Sequence, residues 1–389
     1  MQVAGEKSGW NRNDLRSQSL DLLRFPLAIV ILVIHVFNTD GLIIQGHEYN
    51  TDHYPVFIAI NRFIDAFFRG QSVPIYFFIS GFVFFLGVDF TQKTYAHKLK
   101  NRVHTLLIPY IIWNSVALLL PLIYFLPCFS SIFPNIHKVD LNFSLSQILP
   151  NYWNSTQGFY VPGPEYSVDS IYRTCLPVDP PLWFVRDLMI VVLCTPLLYR
   201  LLKWTRCYAI WILGVLWFFS VYSYWPHLDQ LLFAFFFFSW GAYMSVNGKD
   251  MLEEFGRFFN TANFLYPLLA LVYVAATYYW PEAADTVKRL NIVVGLIFGF
   301  NLSCWLLKRG ICKVNRFLAS SSFFIYVTHM IICGMIVKGV FYLIRPESGF
   351  GVFLVYVLAV CITITILLVS FFFLRRYTPA LLQVLTGRK

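Results

Sequence analysis

Apolar stretches close to the roughly 20 residues that cross a hydrocarbon core recur from one end of the chain to the other. Ten segments qualify, at 20–37, 71–88, 104–126, 183–201, 207–223, 229–246, 262–280, 290–307, 321–343 and 351–374. Inside lipid every backbone polar group must be satisfied within its own segment, so runs of this kind are expected as helices. The pattern therefore predicts an all-α, polytopic integral membrane protein of about ten transmembrane helices. One membrane domain is expected over 1–389, with an N-terminal tail at 1–19, a long loop at 127–182 and a C-terminal tail at 375–389.

Between the apolar blocks the basic residues cluster: Lys7, Arg12 and Arg16; Lys93, Lys98, Lys100 and Arg102; Arg200, Lys203 and Arg206; Lys249 and Arg257; Lys308, Arg309, Lys313 and Arg316; Arg375, Arg376, Arg388 and Lys389. With ten spans all six clusters fall on one side, which the positive-inside rule makes cytoplasmic, and both termini are expected there. Removing one span would put the later clusters on the wrong side. The opposite face carries two long connections, 38–70 and 127–182, where a large polar ligand would be met. Tyr152, Trp153, Tyr160, Tyr166 and Tyr172 enrich the second loop; such rings stack on sugars and also populate membrane interfaces. Cys128 and Cys175 bracket that loop and are expected to form a disulfide in an oxidising compartment.

Composition narrows the classes. A chain of 389 residues could hold two or three soluble domains, but 58% hydrophobic and 13% charged residues leave too little charge for soluble surfaces. The net charge of +10 sits in clusters flanking apolar spans, where anionic lipid is the expected partner, so nucleic-acid binding is excluded. The first apolar segment carries Asp21 and Arg24 and is followed by no small-residue cleavage pattern, so it is expected to be a retained helix. The eight cysteines show no metal-ligand spacing, and no metal site is expected.

Ionisable residues within spans are costly, which makes each a functional candidate. In the first span, eleven residues separate Arg24 from His35, about three turns and 16 Å of helix, so both should point to one face. Asp21 stands three residues before Arg24 and can pair with it, while Pro26 is expected to kink the helix between Arg24 and His35. A neutral imidazole such as His35 can take a proton from a hydroxyl; a helix-packing role is the alternative. In the second span Pro74, Ser80 and Gly81 allow a bend and a close helix approach. The basic residues Lys98, Lys100 and Arg102, expected in a cytoplasmic loop, serve as topogenic charge or as a phosphate site. The fourth span opens with Trp183, Arg186 and Asp187; neighbours on a helix do not face each other, so the partners of this Arg and Asp are expected elsewhere. The ninth carries Tyr326 and His329, for which a polar helix contact is the expected role.

In their order along the chain these motifs resemble the acyltransferase 3 family of bacterial membrane acyltransferases. The resemblance rests on Leu20-Asp21-x-x-Arg24 with His35 beyond it, Phe77-Phe78-Ile79-Ser80-Gly81, the basic stretch leading to Pro109, Leu182-Trp183-Phe184, and Ile325-Tyr326 to His329. It covers nearly the whole chain and implies ten helices in the bacterial cytoplasmic (inner) membrane. It also implies a cytoplasmic acyl-CoA donor and a cell-surface or exported glycan as acceptor. Acetylation is the usual outcome and succinylation a variant. No tightly bound cofactor is implied; acyl-CoA, acetyl-CoA above all, is a co-substrate. Arg24 and His35 match the family's essential first-helix residues. Many relatives carry a second basic residue four before the proline, where Thr105 stands here, and many carry an added extracytoplasmic domain, where only about fifteen residues follow the last span.

The resulting expectation is an O-acyltransferase. The donor phosphates lie near Lys98, Lys100 and Arg102, Arg24 orients the donor, and His35 serves as general base on a sugar hydroxyl. Arg186 is expected to stabilise the oxyanion or bind the acceptor. Asp21, Ser80, Trp183, Asp187, Tyr326 and His329 complete the expected substrate and donor contacts. A multi-span transporter of a small anionic or glycan-related substrate is the alternative, since several prolines within spans and buried charges also describe a carrier; its signature, an internal repeat, is not seen. A membrane scaffold without chemistry would leave Asp21, Arg24 and His35 unexplained.

Overall fold

The computed structural model describes residues 10–36, 42–44, 47–49, 54–120, 148–155, 175–219 and 226–387. The helices are α1 (Arg12–Val36), α2 (Pro55–Ile64), α3 (Ser72–Phe85), α4 (Gln92–Arg102), α5 (Ile108–Leu119), α6 (Trp183–Leu193), α7 (Thr195–Thr205), α8 (Tyr208–Phe218), α9 (Pro226–Val246), α10 (Met251–Gly256), α11 (Phe259–Tyr279), α12 (Pro281–Lys308), α13 (Arg316–Ile344), α14 (Gly349–Tyr377) and α15 (Pro379–Thr386). Among the described residues, the ten apolar segments lie largely on helices, the fourth on two of them. By length and apolarity six stretches suffice to cross a membrane: α1, the continuous run Gln92–Leu119, α11, α12, α13 and α14. The pair Pro180–Leu193 and Thr195–Thr205 makes a seventh if it is counted as one span. The chain is thus a helical protein of multiple membrane spans.

Four local expectations are corrected. The fourth segment is not one straight helix: it bends by 66° between α6 and α7, where Pro196 removes a backbone donor and its ring crowds the preceding turn. The basic residues Lys93, Lys98, Lys100 and Arg102 lie on α4 rather than in a loop. Thr91 caps α4 by accepting from Thr94 N at 3.2 Å, and a π-turn at Val103–Leu107 carries the helix on into α5. The all-α expectation also misses an antiparallel ribbon, β1 (Leu42–Ile44) with β2 (His47–Tyr49), in register Leu42 to Tyr49. It is held against α13 by the Tyr49 ring, 4.9 Å from that of Phe341. Finally, part of the C-terminal tail forms α15, docked where Trp113 Nε1 donates to Leu385 O at 2.9 Å.

Helix contacts follow from small residues and rings. A Cβ on Gly81 would stand 2.0 Å from Phe238 O, and one on Gly241 would stand 2.0 Å from Phe78 O, so α3 and α9 touch backbone to backbone. The close approach expected at Gly81 is present. Around this contact Phe77, Phe78, Phe237 and Phe238 are fully buried. α13 starts cleanly because the Asn315 side chain accepts from Phe317 N and Leu318 N, and α14 because Ser348 accepts from Gly351 N. These caps set the register of α13, which lies along α1 and carries the residues described next.

Candidate active site

α1 continues unbroken through Pro26 to Val36, with Asp21 and Arg24 in its middle and His35 at its end. Arg24 Nη1 lies 2.9 Å from Asp21 Oδ1, one turn away, as the spacing predicts. Both side chains keep about a third of their surface, 37% and 36%, so the pair remains reachable. The Tyr76 hydroxyl on α3 donates to the Arg24 carbonyl at 2.5 Å.

At the far end of α1 the His35 ring meets His329 of α13, the two centres 5.3 Å apart and tilted by 40°. His329 has no exposed surface. Tyr326, one turn earlier, is buried, and its hydroxyl donates to the carbonyl of Pro181 just before α6. The Tyr326 ring stands 6.3 Å from His329 and 5.9 Å from Phe184, which in turn stands 6.0 Å from Tyr76. A file of four side chains from three helices, Tyr76 of α3, Phe184 of α6, and Tyr326 and His329 of α13, therefore connects the Arg24 region to His35. Of the predicted site residues, the structure gathers His35, Tyr326 and His329 directly and reaches Arg24 through Tyr76. Arg69 pairs with Asp65 at 2.5 Å.

The other candidates lie apart from this group. Lys98 and Arg102 sit over the Phe84 ring, at 5.0 and 5.8 Å from its centre, while Lys100 is exposed. Thr105 lies in the π-turn, its hydroxyl buried without a partner among the described residues. Ser80 is half-buried on α3, and Trp183 packs with Phe77 and Phe233 at 6.2 Å each. Arg12, Lys308, Leu15 and Asp250 line shallow cavities of about 240 and 280 Å3 at the start of α1, about 30 Å of helix away from His35.

Arg186 and Asp187 depart from expectation. Their partners were to lie elsewhere, yet Arg186 Nε contacts Asp187 Oδ1 at 2.8 Å, because the long guanidinium stem reaches back across the first turn of α6. Arg186 Nη1 also donates to Trp153 O at 2.7 Å and Cys175 O at 2.9 Å, and Nη2 donates to Gln230 Oε1 at 3.2 Å. Four of the five guanidinium donors are thus engaged, and the charge, 2% exposed, lies 5.0 Å from the centre of the Trp153 ring. The residue ties the flanks of the long loop to α6 and α9. Cys128 lies outside the described residues; Cys175 is a free, buried thiol whose pKa burial pushes up.

Sequence reasoning passed over Asp179. It is 1% exposed, its backbone N donates to Asn114 Oδ1 at 3.2 Å, and its Oδ2 has no partner among the described residues. Burial raises its carboxyl well above the usual range. The only sequence signal was an acid directly before Pro180-Pro181 at the mouth of a span. Among the described residues no group of three His, Cys, Asp or Glu side chains could hold a metal ion.

Comparison with known proteins adds to this geometry. The model of one protein family, described as an acyltransferase domain, matches residues 17–373. The chain is also similar to the succinoglycan biosynthesis protein ExoH of Rhizobium meliloti (strain 1021), 28% identical over 384 residues, which cover 96% of this chain and 92% of that protein. No solved structure matches the chain.

Proposed function

This chain belongs to the acyltransferase family matched over residues 17–373, and on that premise we propose that it moves an acyl group from cytoplasmic acyl-CoA to a hydroxyl of a cell-surface or exported glycan. The observation that carries the reading is a pair of imidazoles, His35 and His329, inside a helical membrane bundle whose first helix also bears the reachable Arg24–Asp21 pair. The relative named for succinoglycan biosynthesis supports a polysaccharide acceptor. The protein lies in the bacterial cytoplasmic membrane, with both termini inside. Lys98 and Arg102 lie on the same side as the donor, where cations meet its phosphates.

His35 acts as general base. It takes the proton of the acceptor hydroxyl as the oxygen attacks the thioester carbonyl, and returns it to the departing thiolate of CoA. Arg24 orients the donor, and Asp21 holds its guanidinium in place. Acetyl and succinyl are the two acyl groups the reading admits. The test compares cell-surface glycan from cells with and without the protein by NMR, before and after mild base. Ester-linked acyl signals that depend on the protein and vanish in base support the reading; identical spectra from both cells refute it.

A further inference from the structure

His329 has a fixed tautomer. Its Nδ1 faces two backbone carbonyls of its own helix, Tyr326 O at 2.7 Å and Ile325 O at 3.2 Å. A carbonyl only accepts, so Nδ1 carries the proton and Nε2 carries a lone pair. That Nε2 is buried and has no partner among the described residues. A buried acceptor left unpaired is costly, so the position calls for a donor. His35 supplies the nearer ring, its centre at 5.3 Å against 6.3 Å for Tyr326. A head-on N–H···N bond of about 2.9 Å between two imidazoles puts their centres about 5.2 Å apart. The spacing of the helices therefore suits that bond, and rotation of the His35 ring about its own side-chain bond presents the N–H.

We infer that His329 is the positioning residue of His35: its Nε2 accepts the N–H of one His35 nitrogen and leaves the other nitrogen of His35 unprotonated toward the acceptor hydroxyl. The inference rests on the general-base role of His35. The hydroxyl proton moves to the free nitrogen of His35, the oxygen bonds to the acyl carbon, the carbon–sulfur bond breaks, and the thiolate recovers the proton. Throughout, the N–H held by His329 stays in place, so His329 itself neither gains nor loses a proton. Its part is to select the tautomer of His35 and to stabilise the imidazolium formed in the transition state. Tyr326 supports this arrangement from one turn below, since its hydroxyl bond to Pro181 O pins α13 against the entry to α6.

The test uses the full chain in lipid nanodiscs, with acetyl-CoA and succinyl-CoA as donors and base-deacylated polysaccharide of the producing cell as acceptor. His329→Phe keeps the ring volume and removes the acceptor; His329→Gln places an amide oxygen near the position of Nε2. The inference predicts kcat lower by about tenfold to a hundredfold in the Phe variant with KM for the donor unchanged, and substantial recovery in the Gln variant. It also predicts that His329→Phe adds no further loss to His35→Ala. Equal activity of His329→Phe and the unaltered chain would overturn it, as would equal loss in the Phe and Gln variants or a change confined to KM. A fully active His35→Ala chain would instead remove the general-base reading on which it stands.

Discussion

The imidazole of His35, at the end of the first helix, lies 5.3 Å from that of His329, two helices from the C-terminal end of the bundle. Contact between α1 and α13 sets this distance, and α13 is placed by its Asn315 cap and by the Tyr326 hydroxyl on the Pro181 carbonyl. In the proposed mechanism the two imidazoles sharing one interior give the base a partner within reach.

Arg186 is expected to act on folding more than on chemistry. It is buried, pairs with Asp187, and donates to the carbonyls of Trp153 and Cys175. Arg186→Leu leaves Asp187 charged and unpaired in a dry site, a loss of about 3–5 kcal/mol. Arg186→Lys recovers little, because one ammonium cannot reproduce the forked contacts. The expected result is a lower thermal midpoint in detergent for both variants, with earlier proteolysis in the loop flanking Cys175.

Asp179 gives the fold a pH dependence of definite sign. Burial raises its carboxyl pKa well above the ordinary value of 3.8, so the folded chain holds this proton more tightly than the unfolded chain does. Its contribution to stability is therefore complete below 3.8 and is lost as pH rises from there through the raised folded value. Asp179→Asn keeps the shape without the charge. The variant is expected to lose less thermal stability than the unaltered chain between pH 5 and pH 8, as read by unfolding in detergent at each pH.

The proposed donor site is expected to be separable from the proposed base. Lys98 and Arg102 of α4 share the Phe84 ring of α3. Replacing both with Ala is expected to raise KM for acetyl-CoA about tenfold, the loss of roughly one charge-assisted hydrogen bond, with kcat little changed. Added salt should weaken donor binding in the unaltered chain more than in the double variant. Initial rates at two ionic strengths check both expectations.

Much of this was legible in the sequence and some was not, for reasons that differ by residue. The apolar blocks marked a helical protein of several membrane spans, of which six, or seven with the bent pair, are long and apolar enough to cross, and Asp21 with Arg24 paired as their three-residue spacing implies. Gly81 announced a close approach because only hydrogen fits there, although its partner Gly241 came from a separate part of the chain. The helix over Lys98 and Arg102 was hidden, since topogenic charge says which side a segment lies on and nothing of its backbone. Arg186 with Asp187 defeated the rule that neighbours point apart, because the guanidinium stem is long enough to turn back. The 66° bend after Leu193 rests on Pro196, visible in the sequence but ambiguous within an apolar run. The meeting of His35 with His329, and of Asp179 with Asn114, depends on tertiary contact between distant elements, which periodicity does not carry.

The most direct measurement of the central claim is acceptor-dependent release of CoA thiol from acyl-CoA by the full chain in nanodiscs, comparing the unaltered protein with His35→Ala at equal folded amounts. The account predicts a rate lower by about a hundredfold or more in the variant, the usual contribution of a general base, with thermal stability preserved. A His35→Ala protein that releases thiol and esterifies the glycan at the unaltered rate would contradict it.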